Sequence, residues 1–165
     1  SITNNTFREN AIENAQLERL FNLSLLIPNI VASTVGLHEN TRDNVFERNE
    51  LQENGGEVVV SITGSNDNTF RENLLSINTA RKTIAVNQSF DLVFDDNIIT
   101  GNRGIGLDFG RGDFLLGGMT LTNNTFCINQ TDLVCNDTRF SQDTRNNIYS
   151  SQNGCEENIQ PVREC

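Results

Sequence analysis

NNTFREN, residues 4–10, returns almost unchanged as DNTFREN at residues 67–73. Aligning the chain on this phrase adds DNVFERN from Asp43, DNIITGN from Asp96, NNTFCIN from Asn123 and NNIYSSQ from Asn146, six copies in all. The second position is always Asn: Asn5, Asn44, Asn68, Asn97, Asn124 and Asn147. The third is β-branched in every copy, and the fourth is large and apolar: Phe7, Phe46, Phe70, Ile99, Phe126 and Tyr149. Constrained columns of this kind mark an internal repeat, and its period limits the architecture.

Successive copies lie 39, 24, 29, 27 and 23 residues apart. A helical-hairpin repeat needs about 33 residues or more and a 3.6-residue apolar period, which is not found here. Short β-rich runs fill the intervals instead: EVVVSI (57–62), KTIAVN (82–87), FDLVF (90–94) and MTLT (119–122). Each is one strand long and is bounded by Gly, Asn or Asp. Three short strands and three turns per period make one coil of a solenoid. Asparagine, 25 of 165 residues, suits that design. Its side chain mimics backbone groups, tolerates left-handed conformations and disfavours helix interiors.

The Asn-x-Φ-x-x-Asn phrases resemble the right-handed parallel β-helix repeat of the pectate-lyase-like, carbohydrate-binding-and-hydrolase type, over nearly the whole chain. The fold expected is all-β: a right-handed parallel β-helix of about six coils over residues 1–154, with a disulfide-stapled cap at 155–165. The fourth-position side chains would pile into one internal stack, and the second-position asparagines would form one ladder, because equivalent residues of stacked coils lie about 4.8 Å apart. The first interval admits a coil with an inserted loop or one and a half coils around LFNLSLLI (20–27), and a short helix at 11–21. The glycine-rich run at 102–118 reads as an excursion from the coil.

All four cysteines, Cys127, Cys135, Cys155 and Cys165, fall in the last 39 residues. Their spacing fits no zinc pattern of the CxxC kind. Two disulfides are expected, Cys127–Cys135 and Cys155–Cys165, which implies an oxidising compartment and a secreted or cell-surface protein. Because the chain opens inside a copy of the phrase, a longer precursor is expected.

A net charge of −10 argues against nucleic acid and anionic membranes as partners. No apolar run approaches the roughly 18–20 residues of a membrane span. No motif calls for a cofactor and no metal-ligand set is identified, which leaves Ca²⁺ as the one candidate ion for so acidic a chain.

Enzymes of the resembled family act through acids and an arginine on an outer sheet. If this chain were an enzyme, those residues would be Asp91, Asp95, Asp96, Arg103 and Arg111, with Asp108 and Asp113 nearby. The pair at 95–96 resembles the polygalacturonase acid pair, but Gly-His-Gly and Arg-Ile-Lys are missing. Asp96 also fills the first column of the repeat, where turn capping accounts for it. His38, the only histidine, has no nucleophile motif beside it. Six Asn-x-Ser/Thr sequons occur. Those at Asn22, Asn87, Asn129 and Asn136 are glycosylation candidates, whereas Asn4 and Asn123 fall at the stacked turn.

The resulting expectation is a surface module with a structural, adhesive or carbohydrate-binding role. It would associate through its coil ends with a preceding segment or another subunit. A polysaccharide lyase or glycoside hydrolase acting on an acidic glycan is the alternative, and ice binding is a weaker third, since column three is Thr in only half of the copies.

Overall fold

Within a coil, the sequence advances in steps of five: Asn, one residue, a large apolar residue, then two more before the next Asn. Asn44, Phe46, Asn49, Leu51 and Asn54 show the pattern. In a strand of three residues the central side chain points inward and its neighbours outward. The residue before each corner Asn takes a left-handed conformation, as at Asp43 (φ 55°), Arg48 (φ 54°) and Glu53 (φ 58°). A left-handed residue breaks the extended run, so each pentad is one short strand and one corner.

The structure is a computed structural model that describes residues 2–3, 6–8, 33–38, 41–110, 118–135, 140–149 and 151–153. Four complete turns follow one another. The first holds β4 (Val45–Glu47), β5 (Glu50–Gln52) and β6 (Val58–Thr63), the second β7 (Thr69–Arg71), β8 (Leu74–Ser76) and β9 (Lys82–Asn87). The third holds β10 (Val93–Asp95), β11 (Ile98–Thr100) and β12 (Ile105–Phe109), the fourth β13 (Met119–Thr122), β14 (Thr125–Cys127) and β15 (Thr131–Val134). A partly described rung flanks them at each end: β1 (Ile2–Thr3), β2 (Thr6–Arg8) and β3 (Ser33–Leu37) before, β16 (Phe140–Arg145), β17 (Ile148–Tyr149) and β18 (Gln152–Asn153) after. All neighbouring strands pair in parallel, giving three sheets in the orders β1-β4-β7-β10-β13-β16, β2-β5-β8-β11-β14-β17 and β3-β6-β9-β12-β15-β18. The chain is therefore an all-β parallel solenoid with no helix among the described residues. The expected count of about six coils becomes four complete turns between two partial rungs.

The single apolar stack expected from the sequence divides into two. Phe46 and Phe70 register with Phe94 and Leu121 in the first sheet. Phe7, Ile99, Phe126 and Tyr149 belong to the second sheet, where Leu51 and Leu75 complete the column. The reason is the pentad itself. The same phrase suits either corner, and the odd intervals of 39 and 29 residues are one five-residue step away from the true register. Inside, Phe70 stacks on Phe94 with ring centres 5.1 Å apart, and Phe109 meets Phe94 edge-on at 6.3 Å. The third sheet adds Val60, Ile84, Leu107 and Leu133, each at most 2% exposed. Burying each large side chain contributes roughly 1.5–3 kcal/mol.

The asparagine ladder divides in the same way, and a third one appears. Asn44 bonds to Asn68 at the corner entering the first sheet. Asn49, Asn73, Asn97, Asn124 and Asn147 form an unbroken ladder at the next corner. Asn54, Asn78, Asn102 and Asn129 form the third. Beyond Asn68 the first ladder gives way to Leu92 and Met119, both fully buried.

The run at 102–118 is not wholly an excursion, because Ile105–Phe109 forms β12. Its glycines admit close neighbours: a Cβ on Gly104 would lie 2.1 Å from the carbonyl oxygen of Arg81. Residues 111–117, the proposed helix at 11–21 and the cap at 155–165 lie outside the described residues.

Candidate functional site

The candidate acids are distributed by the corners. Asp91 is the left-handed residue (φ 52°) before β10, and Asp96 (φ 55°) is the one after it; both are exposed. Five residues of extended chain separate them, about 16 Å, more than the roughly 5–9.5 Å between a glycosidase's paired carboxylates. Asp95 ends β10 and accepts hydrogen bonds from Thr122 Oγ1 and, at 3.1 Å, from Asn123 Nδ2. Arg103 is exposed one corner further on, its backbone N–H donating to the Asn78 carbonyl at 2.9 Å. Asp108 is buried on β12 and ion-paired with Lys82 at 2.7 Å. Asp91, Asp96 and Arg103 thus stand at three successive corners of the third turn, whereas Asp95 and Asp108 lie on its strands. Arg111 and Asp113 lie outside the described residues.

His38 serves the chain with its backbone. Its carbonyl accepts from Thr41 N, Thr41 Oγ1 and Ser65 Oγ at 3.1, 2.6 and 3.0 Å. Of the sequons, Asn129 is structural: its Nδ2 donates to the Ile99 carbonyl and to Asp132 Oδ1, both at 2.9 Å, so a glycan there would displace a ladder bond. Asn87 is half-buried at the end of β9, with its side-chain oxygen packed against Gly110. Asn22 and Asn136 lie outside the described residues, as do Cys155 and Cys165 and with them the expected Cys155–Cys165 pair. Cys127 and Cys135 are disulfide-bonded rather than free thiols.

Charged side chains on the first sheet and its corner pair between rungs. Arg71 bonds Glu47 at 3.0 Å and Arg48 bonds Glu72 at 2.6 Å, each across 24 residues. The Arg71 hydrogen bond, with help from the charge of Arg48, holds the Glu47 carboxyl below the usual carboxylate range. The Glu72 bond raises the already basic Arg48 guanidinium. Opposite signs 24 residues apart in sequence were the available signal for these pairs.

The second sheet's outer face differs. From β8 onward its outward positions carry Leu74, Ser76, Ile98, Thr100, Thr125, Cys127 and Ile148, with no charged residue. The corner beside it carries Ile77, Gly101 and Ile128 in successive rungs, two of them 60% and 77% exposed. Among the described residues no group of three or more His, Cys, Asp or Glu is arranged to hold a metal ion.

The chain matches no family model, no curated protein and no solved structure.

Proposed function

We propose that this chain is a secreted or cell-surface solenoid module of the pectate-lyase-like β-helix type, with a structural, adhesive or carbohydrate-binding role. What carries the reading is the destination of its polar side chains. Buried asparagines bond to asparagines of adjacent coils, and the charged pairs bridge rungs, so the chemistry present maintains a rod. Two disulfide-bonded cysteines favour an oxidising compartment.

The described rungs end in edge strands, β1 to β3 at one end and β16 to β18 at the other. Edge strands offer backbone groups to another coil, which supports stacking onto a preceding segment or another subunit, extending to filaments. Incubation with a panel of uronate and neutral polysaccharides tests the role. Binding without cleavage supports an adhesive module. Unsaturated or reducing-end products, in the presence or absence of Ca²⁺, establish the lyase or hydrolase reading instead, and growth arrest of ice crystals would establish ice binding.

A further inference from the structure

We propose that Asn54–Gly55 is a site of spontaneous covalent modification, and that the modification records unwinding of the first complete turn. Two of the chain's 25 asparagines precede glycine, Asn54 and Asn153. Among the ladder asparagines described, Asn54 alone does so. The others are followed by residues with side chains, such as Thr79 after Asn78 and Arg103 after Asn102. A following side chain crowds the peptide nitrogen, whereas glycine, lacking Cβ, leaves it open to close approach.

The reaction is an amide exchange followed by hydrolysis. The Gly55 nitrogen bonds to the side-chain carbonyl carbon of Asn54 and gives up its proton. The bond from that carbon to Nδ2 breaks, and ammonia leaves with the proton. Water then opens the cyclic imide at either carbonyl, which leaves aspartate or its β-linked isomer at position 54.

The wound coil withholds this step. Asn54 is 0% exposed, and its backbone N–H and Nδ2 both donate to Asn78 Oδ1, at 2.9 and 3.1 Å. Its carbonyl, which begins the peptide bond to Gly55, accepts from the Thr79 N–H at 2.8 Å. Ring closure has to swing the side chain off Asn78 and turn that peptide toward it, so both holds must break first. The rate is therefore set by how often the corner opens.

The product does not fit back. Aspartate at 54 places a carboxylate oxygen where Nδ2 faced Asn78 Oδ1, which opposes two acceptors in a buried site. The β-linked isomer also lengthens the backbone at a corner. Asp132 shows that this ladder receives a carboxylate at its accepting end. Position 54 requires a donor. A single opening is thus made permanent, and the mark accumulates on copies whose first turn has come apart.

Peptide mapping by mass spectrometry tests this, on the whole chain held at mildly alkaline pH, folded and in denaturant. Trypsin separates residue 54 from the second Asn–Gly step, because Arg71 and Arg145 lie between them. The wild type is expected to convert Asn54 in denaturant, and at least about tenfold more slowly when folded. Gly55→Thr, which copies Thr79 of the next coil, should slow conversion in denaturant, where folding plays no part. Asn54→Asp, which makes the product directly, should unfold at a lower denaturant concentration than the wild type. A folded chain that converts as fast as the denatured one, a denatured chain that keeps its amide, or an Asn54→Asp variant with the wild-type midpoint would overturn the proposal.

Discussion

Asn73 Oδ1 accepts both the backbone N–H and the side-chain Nδ2 of Asn49, at 2.9 and 3.1 Å, although the two residues are 24 apart in sequence. Its own Nδ2 donates to the Phe46 carbonyl at 2.8 Å and to Asn97 Oδ1 at 2.9 Å. All four hydrogen-bonding sites of a buried amide are thereby filled. Replacing Asn73 with Ala strands donors on Asn49 and an acceptor on Phe46. At about 1–3 kcal/mol for each unsatisfied buried group, the variant should lose about 3–5 kcal/mol, read from chemical denaturation. Asn44→Ala, at the half-exposed start of its ladder, should lose much less.

The third ladder ends on a carboxylate. Asp132 Oδ1 accepts from the backbone N–H and Nδ2 of Asn129, and Oδ2 accepts from the Ser151 N–H at 3.1 Å. Asn is the ladder residue everywhere else at this corner, yet Asp132→Asn would turn an NH₂ toward a second donor. The expected loss is about 1–3 kcal/mol in the same measurement, whereas a neutral substitution would deny Asp132 its role as terminator.

Tyr149 is 2% exposed, and burial pushes its phenol from 10.0 up to about 12. The folded state therefore prefers the neutral phenol. Stability is complete below pH 10 and declines as pH rises from there toward 12. Because Tyr149 is the only tyrosine and there is no tryptophan, the ultraviolet rise of tyrosinate reports this group alone. It should appear late in the native chain and near pH 10 once denaturant is added.

Glu47 titrates in the other direction. Its carboxyl is held below the ordinary 4.5 by Arg71, so the contribution to stability is complete above 4.5 and vanishes as pH falls through the lowered value. The melting temperature of Glu47→Gln should lie slightly below that of the wild type near neutrality. The gap should close on acidification; a gap unchanged by pH would mean the pair contributes nothing.

The strands at Lys82–Asn87 and Met119–Thr122 were legible with their limits, because β-branched and apolar runs between turn residues admit no other reading of that length. The uncharged face of the second sheet was not. Leu74, Ile98 and Ile148 are scattered apolar letters until the register aligns them on one face, and the isoleucines at 77 and 128 look like core residues in sequence.

By itself, the sequence determined that short strands and asparagine corners repeat, and hence that the chain winds into a parallel solenoid. Which corner each phrase occupies was decided only by tertiary structure. Asn-x-Φ-x-x satisfies any of the corners locally, so Asn44 and Asn49 are interchangeable as letters. The choice between them depends on coil lengths and on which coil lies alongside. Packing Phe94 between Phe70 and Phe109, and giving Asn49 the amide of Asn73 as its partner, fixes that choice through contacts no single segment contains.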